Sequence, residues 1–162
     1  MGLLKRLRSW RSERKDHLVC EDFPELLNER GNLEILTPFG LVEIDGKMRY
    51  DRVTGAYDTE YKEIHLASCL HDYGCNEMKK NGCVKDMAGS VIMTTQRQVD
   101  IAFLMEMLRA VRLIVMKQIQ KQEPLGGFAK NLSTLLLRVV VYYKGVRKWH
   151  KLMRLLGKRD YD

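Results

Sequence analysis

The chain has 162 residues with a formal charge of +7, 45% hydrophobic and 30% charged residues, and three prolines. This length suits one domain with short tails, and the composition excludes extensive disorder. Four cysteines, without a continuous apolar leader segment, point to reduced thiols in the cytosol instead of a secreted disulfide framework.

The charge is concentrated at the two ends. Residues 1–19 hold six Lys/Arg and two acids, whereas residues 130–162 hold nine and two. Leu3, Leu4, Leu7 and Trp10 fall on one helical face, and Lys5, Arg6, Arg8 and Arg11 lie largely off it. That pattern predicts a basic amphipathic arm over 1–19, ahead of a single domain over 20–162. "EDFPELLNERG" reads as a two-turn helix with Asp22 as N-cap, Pro24 in the first turn and Gly31 as the stop.

Period-two patterning follows over about residues 32–68 and predicts a small antiparallel sheet. "NLEIL", "RVTGAY" and "EYKEIHLA" read as short strands, and Asp45-Gly46 reads as a type I′ hairpin turn between Val42/Ile44 and Met48/Tyr50. Residues 69–93 are punctuated by glycine, lack a clear period and read as a loop with one helical turn. Thr95 and Gln98 match a capping box opening a helix that runs to Pro124. A second long helix covers "NLSTLLLRVVVYYKGVRKWHKLMRLLGKR", with a kink expected at Gly145. The fold class is therefore α+β: a small sheet packed against two long C-terminal helices, preceded by the basic arm.

No G-x-S-x-G, H-E-x-x-H, P-loop or G-x-G-x-x-G pattern occurs, so the expectation is a non-enzyme without a small-molecule substrate. His65, Cys69, His71, Cys75 and Cys83 contain the residue types for a tetrahedral zinc site but lack a short Cys-Cys knuckle. No cofactor is expected on that ground, with zinc as the alternative. The basic side chains Lys144, Arg147, Lys148, Lys151, Arg154, Lys158 and Arg159 can neutralise phosphates beside Trp149, Tyr142 and Tyr143. An apolar stripe of Val146, Trp149, Leu152, Met153 and Leu156 accompanies them, as Leu3, Leu4, Leu7 and Trp10 accompany the N-terminal charges. That combination favours an anionic membrane surface, because a purely electrostatic contact with nucleic acid needs no apolar stripe. Gly2 is followed by Arg6 where N-myristoylation favours Ser or Thr.

A short basic chain with a charged arm, a central sheet and packed helices resembles the small matrix proteins of negative-strand RNA viruses. The P-P-x-Y and P-T-A-P motifs often found in that group are absent. The resemblance implies a structural protein that self-associates into homo-oligomers, lies peripherally at the cytoplasmic face of an anionic membrane and contacts RNA or a nucleocapsid. The alternative is a small viral-type regulatory protein that binds RNA or a host factor and suppresses a host response.

Overall fold

The computed structural model describes residues 17–50, 61–121 and 125–155. Its order is β1 (His17–Leu18), α1 (Val19–Asp22), a 3-10 turn (Pro24–Leu26), β2 (Asn32–Thr37), β3 (Gly40–Asp45) and β4 (Arg49–Tyr50), then α2 (Lys62–Asn81), β5 (Val84–Lys85), β6 (Val91–Met93), α3 (Gln96–Gln120) and α4 (Leu125–Leu155). The class is α+β, as the sequence patterning implies, with three long helices and three two-stranded antiparallel pairings.

β2 and β3 form a hairpin in which Leu33 faces Ile44 and Ile35 faces Val42, all four buried. Alternation of apolar and polar residues turns one face of this ribbon to the core. Its turn is Pro38-Phe39, where the Thr37 hydroxyl donates to the Gly40 carbonyl at 2.8 Å and accepts from the Phe39 N–H at 3.2 Å.

Asp45-Gly46 does turn the chain, but not as a β3–β4 hairpin. The Met48 N–H bonds the Asp45 carbonyl at 2.9 Å, and the Lys47 N–H bonds Asp45 Oδ1 at 2.8 Å. β4 then pairs with β1, and the Cys20 N–H donates to the Gly46 carbonyl at 2.7 Å. A Cβ at Gly46 would stand 2.2 Å from the Gly31 carbonyl oxygen, so close backbone approach requires glycine there. The sheet also ends earlier than the period-two reading implies. From Lys62 onward "EYKEIHLA" belongs to α2, which also takes in residues 69–81 of the segment read as a loop, and "RVTGAY" lies outside the described residues. Asp22 ends the short helical turn Val19–Asp22 instead of capping a helix, and only a 3-10 turn, Pro24–Leu26, follows it in place of the two-turn helix.

α2 has no side-chain N-cap and ends at Gly82, whose φ of 69° suits a left-handed cap and whose N–H bonds the Met78 carbonyl. Thr95 and Gln98 form the expected capping box at the start of α3. α4 is one helix through Gly145.

The core has two parts. Val19, Phe23, Leu33, Ile44 and Tyr50 pack on the α2 side chains Cys69, Leu70 and Met78. Ile64 and Ala67 of α2 meet Phe103, Met107 and Ile114 of α3 and Leu135, Val139 and Tyr142 of α4. Val19 is fully buried, so the domain already includes the last residue assigned by sequence to the arm. His17 and Leu18 of that stretch form β1, and residues 1–16 lie outside the described residues. No helix among the described residues is long and apolar enough to cross a membrane.

Candidate functional site

Three helices deliver polar side chains to one enclosed spot. His71 and Cys75 stand one turn apart on α2, Gln96 and Asp100 one turn apart on α3, and Arg147 and His150 three residues apart on α4. α2 comes close to α3 at Gly74, where a Cβ would meet Val99 Cγ1 at 2.6 Å. That missing side chain lets the turn carrying Cys75 settle beside the turn carrying Asp100.

Asp100 has no exposed surface and is surrounded by donors. Oδ1 lies 3.4 Å from His71 Nε2, 3.2 Å from His150 Nδ1 and 3.2 Å from Gln96 Nε2. Oδ2 lies 3.0 Å from Arg147 Nη1 and 3.3 Å from His150 Nδ1. Burial of this carboxyl opposes ionisation, but hydrogen bonds from His150 and His71 outweigh it and hold the group well below the usual carboxylate range.

Cys75 Sγ lies 3.5 Å from His71 Nε2 and accepts from Gln96 Nε2 at 3.2 Å. Burial raises the thiol pKa, while the His71 charge and hydrogen bonds from His150 and His71 lower it further, to about 6. The imidazoles shift the other way. Burial opposes protonation of both rings, yet the Cys75 charge and Asp100 bring His71 up to about 10, and Asp100 and Cys75 bring His150 up to about 9. The two rings stack with centroids 5.7 Å apart, and Phe103 closes on His71 at 4.9 Å. The set can deprotonate, hold an anion or ligate a soft cation.

Comparison with protein-family models, curated proteins and solved structures finds no match.

Of the five metal candidates read from sequence, the structure brings together His71 and Cys75. Cys69 is fully buried in the core on the sheet side of α2, where burial first and the Asp72 and Asp22 charges second push its thiol far above the ordinary range. His65 is buried on α2, one turn before Cys69, and Cys83 lies beyond the Gly82 cap. All four cysteines are free. The third partner of His71 and Cys75 is His150, absent from that candidate set because 75 residues separate it from Cys75. The stripe Leu135, Val139, Tyr142, Val146, His150 is the signal that could have found it. These residues recur at steps of three and four, and His150 ends the inward seam.

The outward side of α4 is a second feature. Leu137, Val141, Lys144, Lys148, Lys151, Leu152 and Leu155 follow helical steps of one to four residues, share one face and are exposed. Trp149 flanks them with 53% of its surface exposed, and Val146 turns partly into the core instead of continuing the expected apolar stripe. Arg147, one of the expected phosphate-binding residues, has its guanidinium engaged by Asp100 and keeps 38% side-chain exposure. Lys144, Lys148 and Lys151 remain solvent-facing. Leu3, Leu4, Lys5, Arg6, Leu7, Arg8, Trp10, Arg11, Leu156, Lys158 and Arg159 lie outside the described residues, as do the side chains of Met153 and Arg154.

Proposed function

We propose that the chain is a peripheral protein that lies on an anionic membrane surface through the outward face of α4. The observation that carries this reading is the composition of that helix. Residues 125–155 contain Lys130, Arg138, Lys144, Arg147, Lys148, Lys151 and Arg154 and no acidic residue. A face of this kind repels a second copy of itself and attracts a layer of negative charge.

Exposed apolar side chains select lipid over nucleic acid. Leu137, Val141, Leu152 and Leu155 share the face with the three lysines, and a helix at the headgroup boundary buries such groups while lysines reach outward to phosphate. Trp149 suits the same boundary. α3 adds to the effect: its acids Asp100 and Glu106 are buried, whereas Arg109 and Arg112 remain exposed beside Met105, Leu108 and Met116. Arg147, Lys148, Lys151 and Leu155 also line an open depression of about 580 Å³, which offers positive charge to an anionic headgroup. A structural role of the matrix type, with self-association under a membrane, is the biological form of this proposal.

Co-sedimentation tests it. The full chain is expected to pellet with phosphatidylserine-containing vesicles and to remain in solution with pure phosphatidylcholine. Each lysine near an acidic surface contributes about 1 kcal/mol, so Lys148→Glu with Lys151→Glu should abolish most of the binding. Binding to single-stranded RNA with no retention on acidic vesicles would replace the membrane reading with the nucleic-acid one.

A further inference from the structure

We infer that His71, Cys75 and His150 form a zinc site, with Asp100 as the carboxylate that orients both imidazoles. The ligand atoms of the three side chains all lie within 4.8 Å of one another. In a tetrahedral zinc centre, bonds of about 2.0–2.1 Å to nitrogen and 2.3 Å to sulfur separate ligand atoms by about 3.3–3.7 Å. His71 Nδ1, the ring nitrogen that does not face Asp100, lies 3.9 Å from Cys75 Sγ, and small side-chain rotations can bring the ligand atoms into that range.

The surroundings argue for a metal more than for an isolated nucleophile. A thiol nucleophile needs one base, yet two imidazoles converge on Cys75. Asp100 accepts from Nε2–H of His71 and Nδ1–H of His150, which leaves His71 Nδ1 and His150 Nε2 with lone pairs. A carboxylate behind each metal-binding histidine is the usual outer partner of a zinc ligand, and here one buried carboxylate serves two rings. Arg147 and Gln96 occupy Asp100 further, so its task is orientation. Gln96 also donates to the sulfur, a contact that suits a thiolate ligand. One thiolate and two imidazoles form a borderline-soft set that selects zinc over magnesium or calcium.

The consequence is architectural. His71 and Cys75 belong to α2 and His150 to α4, so one ion would fasten the outward-facing basic helix to the body of the domain. The site stands independently of the membrane proposal, because its ligands face inward.

Metal analysis of the full chain, purified without chelator, is expected to find about one zinc per chain. Cobalt added to the apoprotein should produce thiolate-to-metal charge-transfer absorption that is lost in Cys75→Ser and retained in Cys83→Ser. Asp100→Asn should weaken metal affinity about tenfold to hundredfold. Alkylation of the wild-type chain with and without zinc, mapped by mass spectrometry, gives a test that needs no variant to fold. Zinc should slow labelling of Cys75 at least tenfold and leave Cys83 unchanged. Equal labelling of Cys75 in both conditions, or a cobalt spectrum that survives Cys75→Ser, overturns the site.

Discussion

Arg147 Nη1 stands 3.0 Å from Asp100 Oδ2 and ties α4 to a fully buried carboxylate of α3. The arginine retains 38% side-chain exposure, so its desolvation cost is partial, while Asp100 depends on donors for its charge. Replacing Arg147 by Met should lower unfolding stability by about 2 kcal/mol, the scale of a hydrogen bond to a charged group. Lys148→Met, one residue away on an exposed position, should change it by less than about 0.5 kcal/mol. Urea titration of both variants distinguishes an interior tie from a merely basic surface.

Gly74 is the narrowest point between α2 and α3. Alanine would ordinarily favour a helix interior by about 1 kcal/mol, but here its Cβ would press on Val99 Cγ1 at 2.6 Å. Gly74→Ala should therefore destabilise the protein by about 1–3 kcal/mol. Adding Val99→Ala should recover part of that loss, and a double-mutant cycle by denaturant titration measures the coupling.

Glu106 gives a pH signature. Its side chain is only 8% exposed; burial raises its pKa, and Arg109 at 3.4 Å offsets this only in part. A carboxyl with a raised folded pKa binds protons more tightly when folded. Its contribution to stability is thus full below the unfolded pKa and is lost as pH rises through the folded value. Glu106→Gln should raise the melting temperature at neutral pH relative to wild type, with the gain shrinking toward pH 4. A gain that grows on acidification contradicts this assignment.

Thr95 accepts from the Gln98 N–H, while the Gln98 side chain returns to the Thr95 N–H at 3.1 Å. Thr95→Ala should cost about 1 kcal/mol, measured as a lower urea midpoint with an unchanged slope.

These elements differ in how legible they were. The capping box, the β2 strand and the two C-terminal helices are written locally, in spacing and in breakers such as Pro124. α2 is not. It begins at Lys62 without a side-chain cap from Tyr61, and Tyr61, Ile64 and Leu66 imitate alternation closely enough to suggest a strand. Gly74 then looks like a loop residue, when its actual use is close packing on Val99, a tertiary reason that no local window contains. Reading α2 as sheet and loop hid the one-turn relation between His71 and Cys75. His150 was hidden by its setting among Lys148, Trp149 and Lys151, where charge drew attention to the outer face and away from the inner seam. The turn at Asp45-Gly46 was legible as a turn but not as to partner, since pairing of β4 with β1 depends on contacts to Val19 and Cys20.

The membrane proposal is tested most directly by the emission of Trp149 in a Trp10→Phe variant, which leaves a single tryptophan. Free in solution, the exposed indole should emit as a solvated group. Phosphatidylserine-containing vesicles should shift that emission to the blue, and part of the shift should persist in high salt, because screening reduces the lysine contribution within about 8 Å but leaves apolar insertion. Emission that stays unchanged at saturating acidic vesicles, with the protein remaining in the supernatant, contradicts the proposal that α4 lies on an anionic membrane.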